Sequence, residues 1–212
     1  MKIIITIIIF MCGVINCNAM SNEKYYKTLY ENNNYKTEEI TKEGYEAVDI
    51  SKISTEYIET EYKKVSLNKL GQTVELNVTW KKTPKYKSYG VIAIMSEGAT
   101  FDANSLDGYQ NAILSSRNQS VHYNIATKNT KILSNGIGIS MNLIDDAIYY
   151  NLSLSIRYTG KGIVYGNYRH ATNNVALDQS LKYSLKNGSI VFNTNSLNDI
   201  YDVISPISIN IG

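Results

Sequence analysis

This sequence has few cysteines and histidines, which cross-link chains, bind metals and act in catalysis, and it has few prolines. Its 212 residues include two cysteines, two histidines and two prolines. Both cysteines, Cys12 and Cys17, lie in the apolar N-terminal segment. The rest of the chain therefore offers no disulfide, no thiol nucleophile and no cysteine metal ligand. Isoleucine, with 28 residues, and tyrosine, with 18, are abundant instead, and both favour β-strands.

The chain also lacks the basic excess that nucleic-acid binding usually needs. Its net charge is +2, and we expect no nucleic-acid partner. The charge is unevenly distributed. Residues 20–62 carry ten acidic and five basic side chains, whereas residues 63–212 carry fifteen basic and nine acidic ones. The sequence thus divides into an acidic leader and a mildly basic body.

No apolar run is long enough to cross a bilayer as a helix, which takes about 20 residues. The longest, residues 3–15, follows the positive charge of Lys2. Residues 17–19, Cys-Asn-Ala, place small side chains before a cut that follows Ala19. We predict a cleavable secretory signal peptide at residues 1–19, and hence a secreted, extracellular protein. An uncleaved membrane anchor is the alternative.

Residues 20–55 are acidic, polar and weakly patterned, and they predict a weakly structured leader with one short helix at residues 23–31. From residue 56 onward, apolar side chains recur at every second position, which is the period of a strand. Residues 89–95 are apolar almost throughout, as in a strand covered on both faces. The clearest alternation places four apolar side chains on one face of a strand: Val74, Leu76, Val78 and Trp80.

Asn135-Gly136, Gly160-Lys161-Gly162 and Asn187-Gly188 separate apolar runs and predict turns. We therefore predict that residues 56–212 form an all-β domain, an antiparallel, jelly-roll-like β-sandwich of about eight strands.

Residues 137–158 alternate apolar side chains with serine and asparagine. Such strands suit two sheets that pack face to face and expose polar outer faces. The same alternation is typical of the membrane hairpin of a β-pore-forming protein. A pore-forming or membrane-active protein is therefore one alternative function.

No nucleotide-binding or catalytic motif stands out in the sequence, and we expect a non-catalytic protein without a cofactor or metal. His122 and His170 lie in separate strand-like runs without ligand-like spacing. Residues 102–108 resemble a calcium loop, but Leu106 occupies a ligand position, so a plain loop is the preferred interpretation. Paired carboxylates of an envelope glycan hydrolase, the second alternative, could come from four residues: Glu75, Glu97, Asp102 and Asp107.

Residues 80–89, here called the lysine turn, hold the strongest local cluster of binding residues. The only tryptophan, four lysines and two tyrosines surround one predicted turn between two strands: Trp80, Lys81, Lys82, Lys85, Tyr86, Lys87 and Tyr89. Projecting lysines attract anionic surfaces, and aromatic rings stack on sugars or lie at membrane interfaces. The predicted partner is an anionic cell-envelope polymer, a glycan or a lipid surface. For Trp80, which shares a face with Val78, burial in the core is the preferred interpretation. For the four lysines, a solvated basic turn without a ligand is the alternative.

The Trp-Lys-Lys-Thr-Pro sequence at residues 80–84, with Ser88-Tyr89 and the apolar residues 90–94 after it, resembles a motif in uncharacterised secreted proteins of Gram-positive bacteria. Residues 135–146 resemble them as well. The resemblance extends over residues 56–212 and implies secretion and a domain boundary near residue 56, but no activity. The sequence as a whole predicts a secreted, non-catalytic binding module at the bacterial envelope or on an extracellular glycan.

Overall fold

A computed structural model describes residues 25–31, 34–40 and 55–212. The predicted signal peptide, residues 1–19, lies outside these residues. The described part contains fifteen strands and two short helices, with these bounds: β1 (Tyr25–Glu31), β2 (Asn34–Ile40), β3 (Thr55–Glu59), β4 (Lys63–Leu70), β5 (Thr73–Trp80), β6 (Tyr89–Glu97), β7 (Thr100–Leu114), β8 (Asn118–Tyr123), β9 (Thr130–Leu133), β10 (Gly136–Asn142), β11 (Ala147–Thr159), β12 (Ile163–His170), α1 (Leu177–Ser180), β13 (Tyr183–Lys186), β14 (Ser189–Phe192), α2 (Asn195–Asp199) and β15 (Ile207–Asn210). Neither helix is long and apolar enough to cross a membrane.

Eleven of these strands form two antiparallel sheets. One sheet has six strands in the order β3-β4-β5-β11-β7-β8, and the other has five in the order β15-β12-β6-β10-β9. The structure thus confirms the all-β antiparallel sandwich. It has more strands than the eight expected, and the additional ones include β4 and β7.

The main core lies between the two sheets. Along β5 the inward side chains alternate with half-exposed ones, as the sequence predicted. Val74, Leu76 and Val78 are fully buried because they meet the apolar face of the five-stranded sheet, where Ile92 and Ile139 are equally buried. Area removed from water is the main stabilising contribution in such a core.

A second apolar cluster covers the outer face of the five-stranded sheet. The alternate side chains of β6, Val91, Ala93 and Met95, point into it. The β13–β14 hairpin and α2 supply the cover, including Tyr183, Phe192 and Leu197 at the centre of the cluster. Strand β6 is therefore buried on both faces, which confirms the interpretation of residues 89–95. The hairpin turns at Asn187-Gly188, where both φ angles are positive, 49° and 77°.

Residues 137–158 do not form the membrane-type hairpin that their sequence alternation allowed, because β10 and β11 do not pair with each other. Strand β10 pairs with β6 and β9, whereas β11 pairs with β5 and β7 in the other sheet. The two strands lie in opposite sheets because each has an apolar face, and the sandwich buries both faces in one core. On β11 most of the polar positions are at least partly exposed, although Ser153 is buried, whereas β10 is buried on both faces up to Asn142.

Residues 102–108, predicted as a loop, belong to the long strand β7. The loop prediction was wrong because the polar residues form a bulge within the strand. Asp107 and Asp102 pair with Ser155 and Arg157 of β11, so the intervening residues bulge out. The side chain of Asp102 accepts a hydrogen bond from the backbone of Asn104 at 3.2 Å, which stabilises the bulge.

Part of the acidic leader is a hairpin. Strand β1 pairs with β2 in register from Tyr25↔Ile40 to Glu31↔Asn34. The short helix predicted at residues 23–31 is therefore wrong: this tyrosine- and threonine-containing segment is a strand, for which its residue types have the higher preference.

Glu56 joins the edges of the two sheets. It lies on β3, is 3% exposed, and accepts a hydrogen bond from the backbone of Ser208 on β15. Burial raises the pKa of its carboxyl to about 7, and the hydrogen bond from Ser208 only partly opposes this rise. The carboxyl is thus protonated in part near neutral pH.

Because the pKa of Glu56 is raised, we predict that its contribution to the free energy of unfolding decreases as the pH rises. The folded state holds the proton more tightly than the unfolded chain, where the ordinary pKa is 4.5. The contribution of Glu56 is therefore fully present below about pH 4.5 and is lost as the pH rises through about 7, by about 3 kcal/mol. Urea unfolding of the wild type and of Glu56→Gln at about pH 4.5 and about pH 7.5 measures it. A wild-type-minus-variant difference that is constant with pH would contradict this prediction.

Candidate functional site

The lysine turn connects the two sheets. It leaves the six-stranded sheet at the end of β5 and enters the five-stranded sheet at the start of β6. At its first end the backbone N–H of Lys81 donates to the carbonyl of Tyr62 at 2.7 Å. At its second end the buried hydroxyl of Ser88 accepts from the backbone N–H of Val175 at 2.8 Å. Both ends are therefore fixed, although residues 81–88 between the two strands contain no regular structure.

Trp80 lies in the core and not on the surface. It is 5% exposed, and its ring contacts the edge of His170 at a centroid distance of 4.9 Å. This agrees with its place on the same face of β5 as Val78. Trp80 consequently supports the turn from below and takes no part in the exposed surface.

Lys81 and Lys82 are paired with glutamates at the end of β3 and in the turn between β3 and β4. Lys81 Nζ donates to Glu59 at 2.6 Å, and Lys82 Nζ pairs with Glu61. Both lysines are exposed, so these ion pairs stabilise the fold little. They do neutralise this half of the lysine turn.

Lys85 and Lys87 face an open depression of about 450 Å³ on the other side of the turn. Within the described part of the chain, neither lysine forms an ion pair. The walls of the depression are formed by the lysine turn, the β10–β11 turn and the segment that follows β12. The residues that line it are Lys85, Tyr86, Lys87, Ser88, Asn142, Asp145, Asn174 and Val175. The depression therefore combines cationic, amide, carboxylate and aromatic groups.

The two cations are held in different ways. Lys85 is exposed, and its Nζ lies 5.2 Å from the centroid of the Tyr86 ring. Lys87 is half-buried: its Nζ donates to the carbonyl of Pro84 at 2.8 Å and lies 5.3 Å from the Tyr150 ring. Burial lowers the pKa of Lys87, and the nearby negative charge of Asp145 opposes that shift. Lys87 is thus pre-positioned, whereas Lys85 is free to adapt to a ligand.

Tyr86 and Tyr89 have separate positions. Tyr86 is half-buried at the depression, and its carbonyl contacts His170 Nε2 at 2.8 Å. Tyr89 is the first residue of β6 and pairs in register with Asn142; it does not line the depression. Of the seven predicted binding residues, the structure brings three together there: Lys85, Tyr86 and Lys87.

A cluster of buried polar and charged residues beneath the turn has no counterpart in the sequence predictions. Lys63 of β4 pairs with Asp202, and both are almost completely buried, at 3% and 11% exposure. Arg169 of β12 donates to the carbonyls of Asp202 and Tyr201, at 2.7 and 3.0 Å. With His170, these side chains form what we call the buried charge cluster: Lys63, Arg169, His170 and Asp202. Its only sequence signal is the polar Arg169-His170 pair at the end of a buried strand.

The two histidines lie in different sheets. His122 is exposed on β8 beside the Tyr109 ring, at a centroid distance of 6.4 Å. His170 is buried on β12, in the other sheet, and its Nδ1 contacts the Tyr168 hydroxyl at 3.2 Å. Residues 25–31, 34–40 and 55–212 contain no group of three or more histidine, cysteine, aspartate or glutamate side chains placed to hold a metal ion.

The four carboxylates considered for a hydrolase are distributed over both sheets. Glu97 lies on β6 of the five-stranded sheet and accepts from the Tyr165 hydroxyl at 3.2 Å. On the six-stranded sheet, Asp102 pairs with Arg157 at 2.9 Å. Glu75 and Asp107 are the register partners of Ser155 on its two sides. None of the four lines the depression.

The lowered pKa of His170 predicts that the protein loses stability in acid. Burial, together with the positive charge of Lys63, lowers the pKa of His170 from 6.5 to about 4. The unfolded chain therefore binds the proton more readily, and stability present above about pH 6.5 is lost as the pH falls through about 4, by about 3 kcal/mol. Urea unfolding between about pH 7 and about pH 4 should show this loss in the wild type relative to His170→Gln. Parallel pH profiles of the two proteins would contradict it. Glu56 acts in the opposite direction, so each residue is compared only with its own variant.

The chain matches no protein-family model and no curated protein. Among solved structures it is similar to the collagen-binding subdomain, ACE19, of the Enterococcus faecalis surface protein ACE, with 9% identity, a TM-score of 0.36, and coverage of 67% of this chain and 88% of that one. It is also similar to a chain from the structure of manganese lipoxygenase of Gaeumannomyces graminis and part of zonadhesin of Komagataella pastoris, with 9% identity and a TM-score of 0.37. That similarity covers 89% of this chain and spans 60% of the other. At these TM-scores neither likeness bears on what this chain does.

Proposed function

We propose that this protein is an extracellular binding domain that recognises an acidic glycan or anionic polymer of the bacterial envelope. The contact site is the depression beside the lysine turn. One observation carries the proposal: Lys85 and Lys87 lack carboxylate ion-pair partners in the described part of the chain, while Lys81 and Lys82, in the same turn, have them.

The groups around the depression suit a charged sugar. Tyr86 offers a flat ring on which a sugar face can stack. The amides of Asn142 and Asn174 and the carboxylate of Asp145 offer donors and acceptors for sugar hydroxyls. Lys85 and Lys87 supply the cations for carboxylate or phosphate groups of the ligand.

Hydrogen bonds near the second end of the turn reduce the entropic cost of binding a ligand. Ser88 is held by Val175, and the carbonyl of Tyr86 is held by His170. Because both neighbours of Lys87 are held, this part of the turn loses little conformational entropy when a ligand binds. Trp80 and the buried charge cluster form the support beneath it.

The test uses the purified protein and Gram-positive cell walls in two forms, intact and stripped of their anionic polymers by acid extraction. Retention on intact walls should decrease as salt is raised, because charge contacts of exposed lysines are screened over about 10 Å at 0.1 M salt. Retention should be largely lost on stripped walls. Equal, salt-insensitive retention on both forms would contradict an anionic ligand. Anionic liposomes form a third arm, and retention on them alone would assign the site to a lipid surface.

Paired double variants locate the site. Lys85→Gln with Lys87→Gln should weaken retention on intact walls by about tenfold or more. The double variant loses the hydrogen bonds between the lysines and the anionic groups of the ligand, and such charged hydrogen bonds are stronger than neutral ones. The control, Lys81→Gln with Lys82→Gln, removes the same charge from the neutralised half of the turn and should retain most of the binding. Thermal unfolding of both variants checks that they are folded. If the two variants bind equally well, the depression is not the contact site.

A further inference from the structure

The Lys63–Asp202 pair joins parts of the chain that are 139 residues apart. Lys63 is the first residue of β4, and Asp202 lies in the segment between α2 and β15. Lys63 Nζ contacts Asp202 Oδ2 directly, and both side chains are almost completely buried. A buried amine in contact with a buried carboxyl is a pair of reactive groups as well as an ion pair.

The amine of Lys63 is enclosed by aromatic rings. Its Nζ lies 4.8 Å from the centroid of Trp80 and 4.9 Å from that of Tyr168. Gly90 makes room for this arrangement, because a Cβ at that position would overlap the Tyr168 side chain. Burial lowers the pKa of Lys63, although the negative charge of Asp202 opposes the shift. Burial therefore makes the proton of Lys63 easier to remove, which gives readier access to the neutral, nucleophilic amine.

The carboxyl of Asp202 is held in a fixed orientation towards this amine. Its Oδ1 accepts the backbone N–H of His170 at 2.7 Å, while Oδ2 faces Lys63. Arg169 Nε donates to the Asp202 carbonyl at 2.7 Å and fixes the backbone. The N–H of His170 is placed to stabilise negative charge that develops on Oδ1 when the carboxyl carbon is attacked.

We propose that Lys63 and Asp202 form an intramolecular amide cross-link. A proton first passes from the Lys63 ammonium to Oδ2 of Asp202, which leaves an amine and a carboxylic acid. Nζ then attacks the carboxyl carbon, and the Nζ–C bond forms. The C–Oδ2 bond breaks, and Oδ2 leaves as water with the transferred proton and a second proton from Nζ. The ammonium and the carboxylate together supply every atom of the amide and of the water, so no co-reactant is needed.

Three features of the site favour this reaction. The two groups are already in contact, which removes the entropic cost of bringing them together. The amide carries no charge, so the reaction eliminates two buried charges whose desolvation is costly. The enclosing rings of Trp80 and Tyr168 limit the access of water, which would reverse the reaction.

The cross-link is tested by mass spectrometry of the purified protein. The intact mass should be lower than the sequence mass by one molecule of water. Trypsin cannot cut after an acylated lysine, so the digest should contain residues 53–64 joined to residues 187–212 as one branched peptide. A succinimide at Asp107-Gly108 would also remove one water but leaves a linear peptide, and fragmentation distinguishes the two. A wild-type protein of unmodified mass, with separate peptides carrying Lys63 and Asp202, would overturn the proposal.

Variants confirm the assignment. Lys63→Arg and Asp202→Ala should each lack the mass loss and should migrate differently from the wild type in a denaturing gel, because a closed loop cannot extend fully. The matched control is Lys81→Arg, in an exposed ion pair with Glu59, which should keep the branched peptide. Finding the branched peptide in either of the first two variants would overturn the assignment to this pair. These masses are measured without any ligand, so the outcome is independent of the proposed binding function.

Discussion

The buried contact between Lys63 and Asp202 connects the two sheets of the sandwich beneath the lysine turn. Lys63 belongs to the six-stranded sheet, and Asp202 to the segment that leads into the last strand of the five-stranded sheet. Arg169 and His170, at the end of β12, fix the backbone and the carboxylate of Asp202. Through His170 Nε2 the same cluster reaches the carbonyl of Tyr86 in the lysine turn. The position of the candidate binding site therefore depends on a buried polar network, and unpaired members of such a network would be costly.

The four lysines of the lysine turn differ in their surroundings, and this difference decides which of them are neutralised. Four lysines lie within seven positions of one another, yet two of them face Glu59 and Glu61. The other two face amides, Asp145 and the Tyr86 ring across the depression. The difference arises from the end of β3 and the β3–β4 turn, whose two glutamates precede their lysine partners by 22 and 21 residues and lie next to them in space. Surface charge alone was therefore an incomplete guide to which lysines can meet a ligand.

The accuracy of the sequence predictions follows from the kind of signal each element carries. Strands β5 and β6 could be predicted because burial on one face or on both leaves a regular apolar pattern. Strand β7 could not, because the Asp, Asn and Gly residues in and beside its bulge usually indicate a loop. The interpretation of Trp80 as a core residue held because it shares a face with Val78. The partnership of β10 and β11 with opposite sheets could not be predicted, since alternation identifies a buried face but not the strand beside it.

The sequence by itself determined the all-β class, the turn at Asn187-Gly188 and the lysine turn as a cluster of cations and aromatic rings. These are local properties: side-chain period, backbone preference and residue type within a few positions. Only the tertiary structure decided which lysines are neutralised, which residues line the depression and which charges are buried together. Those outcomes depend on contacts such as Lys63 with Asp202, 139 residues apart. Neither residue is distinctive in its own segment, because the burial that gives the pair its chemistry exists only after both sheets have packed.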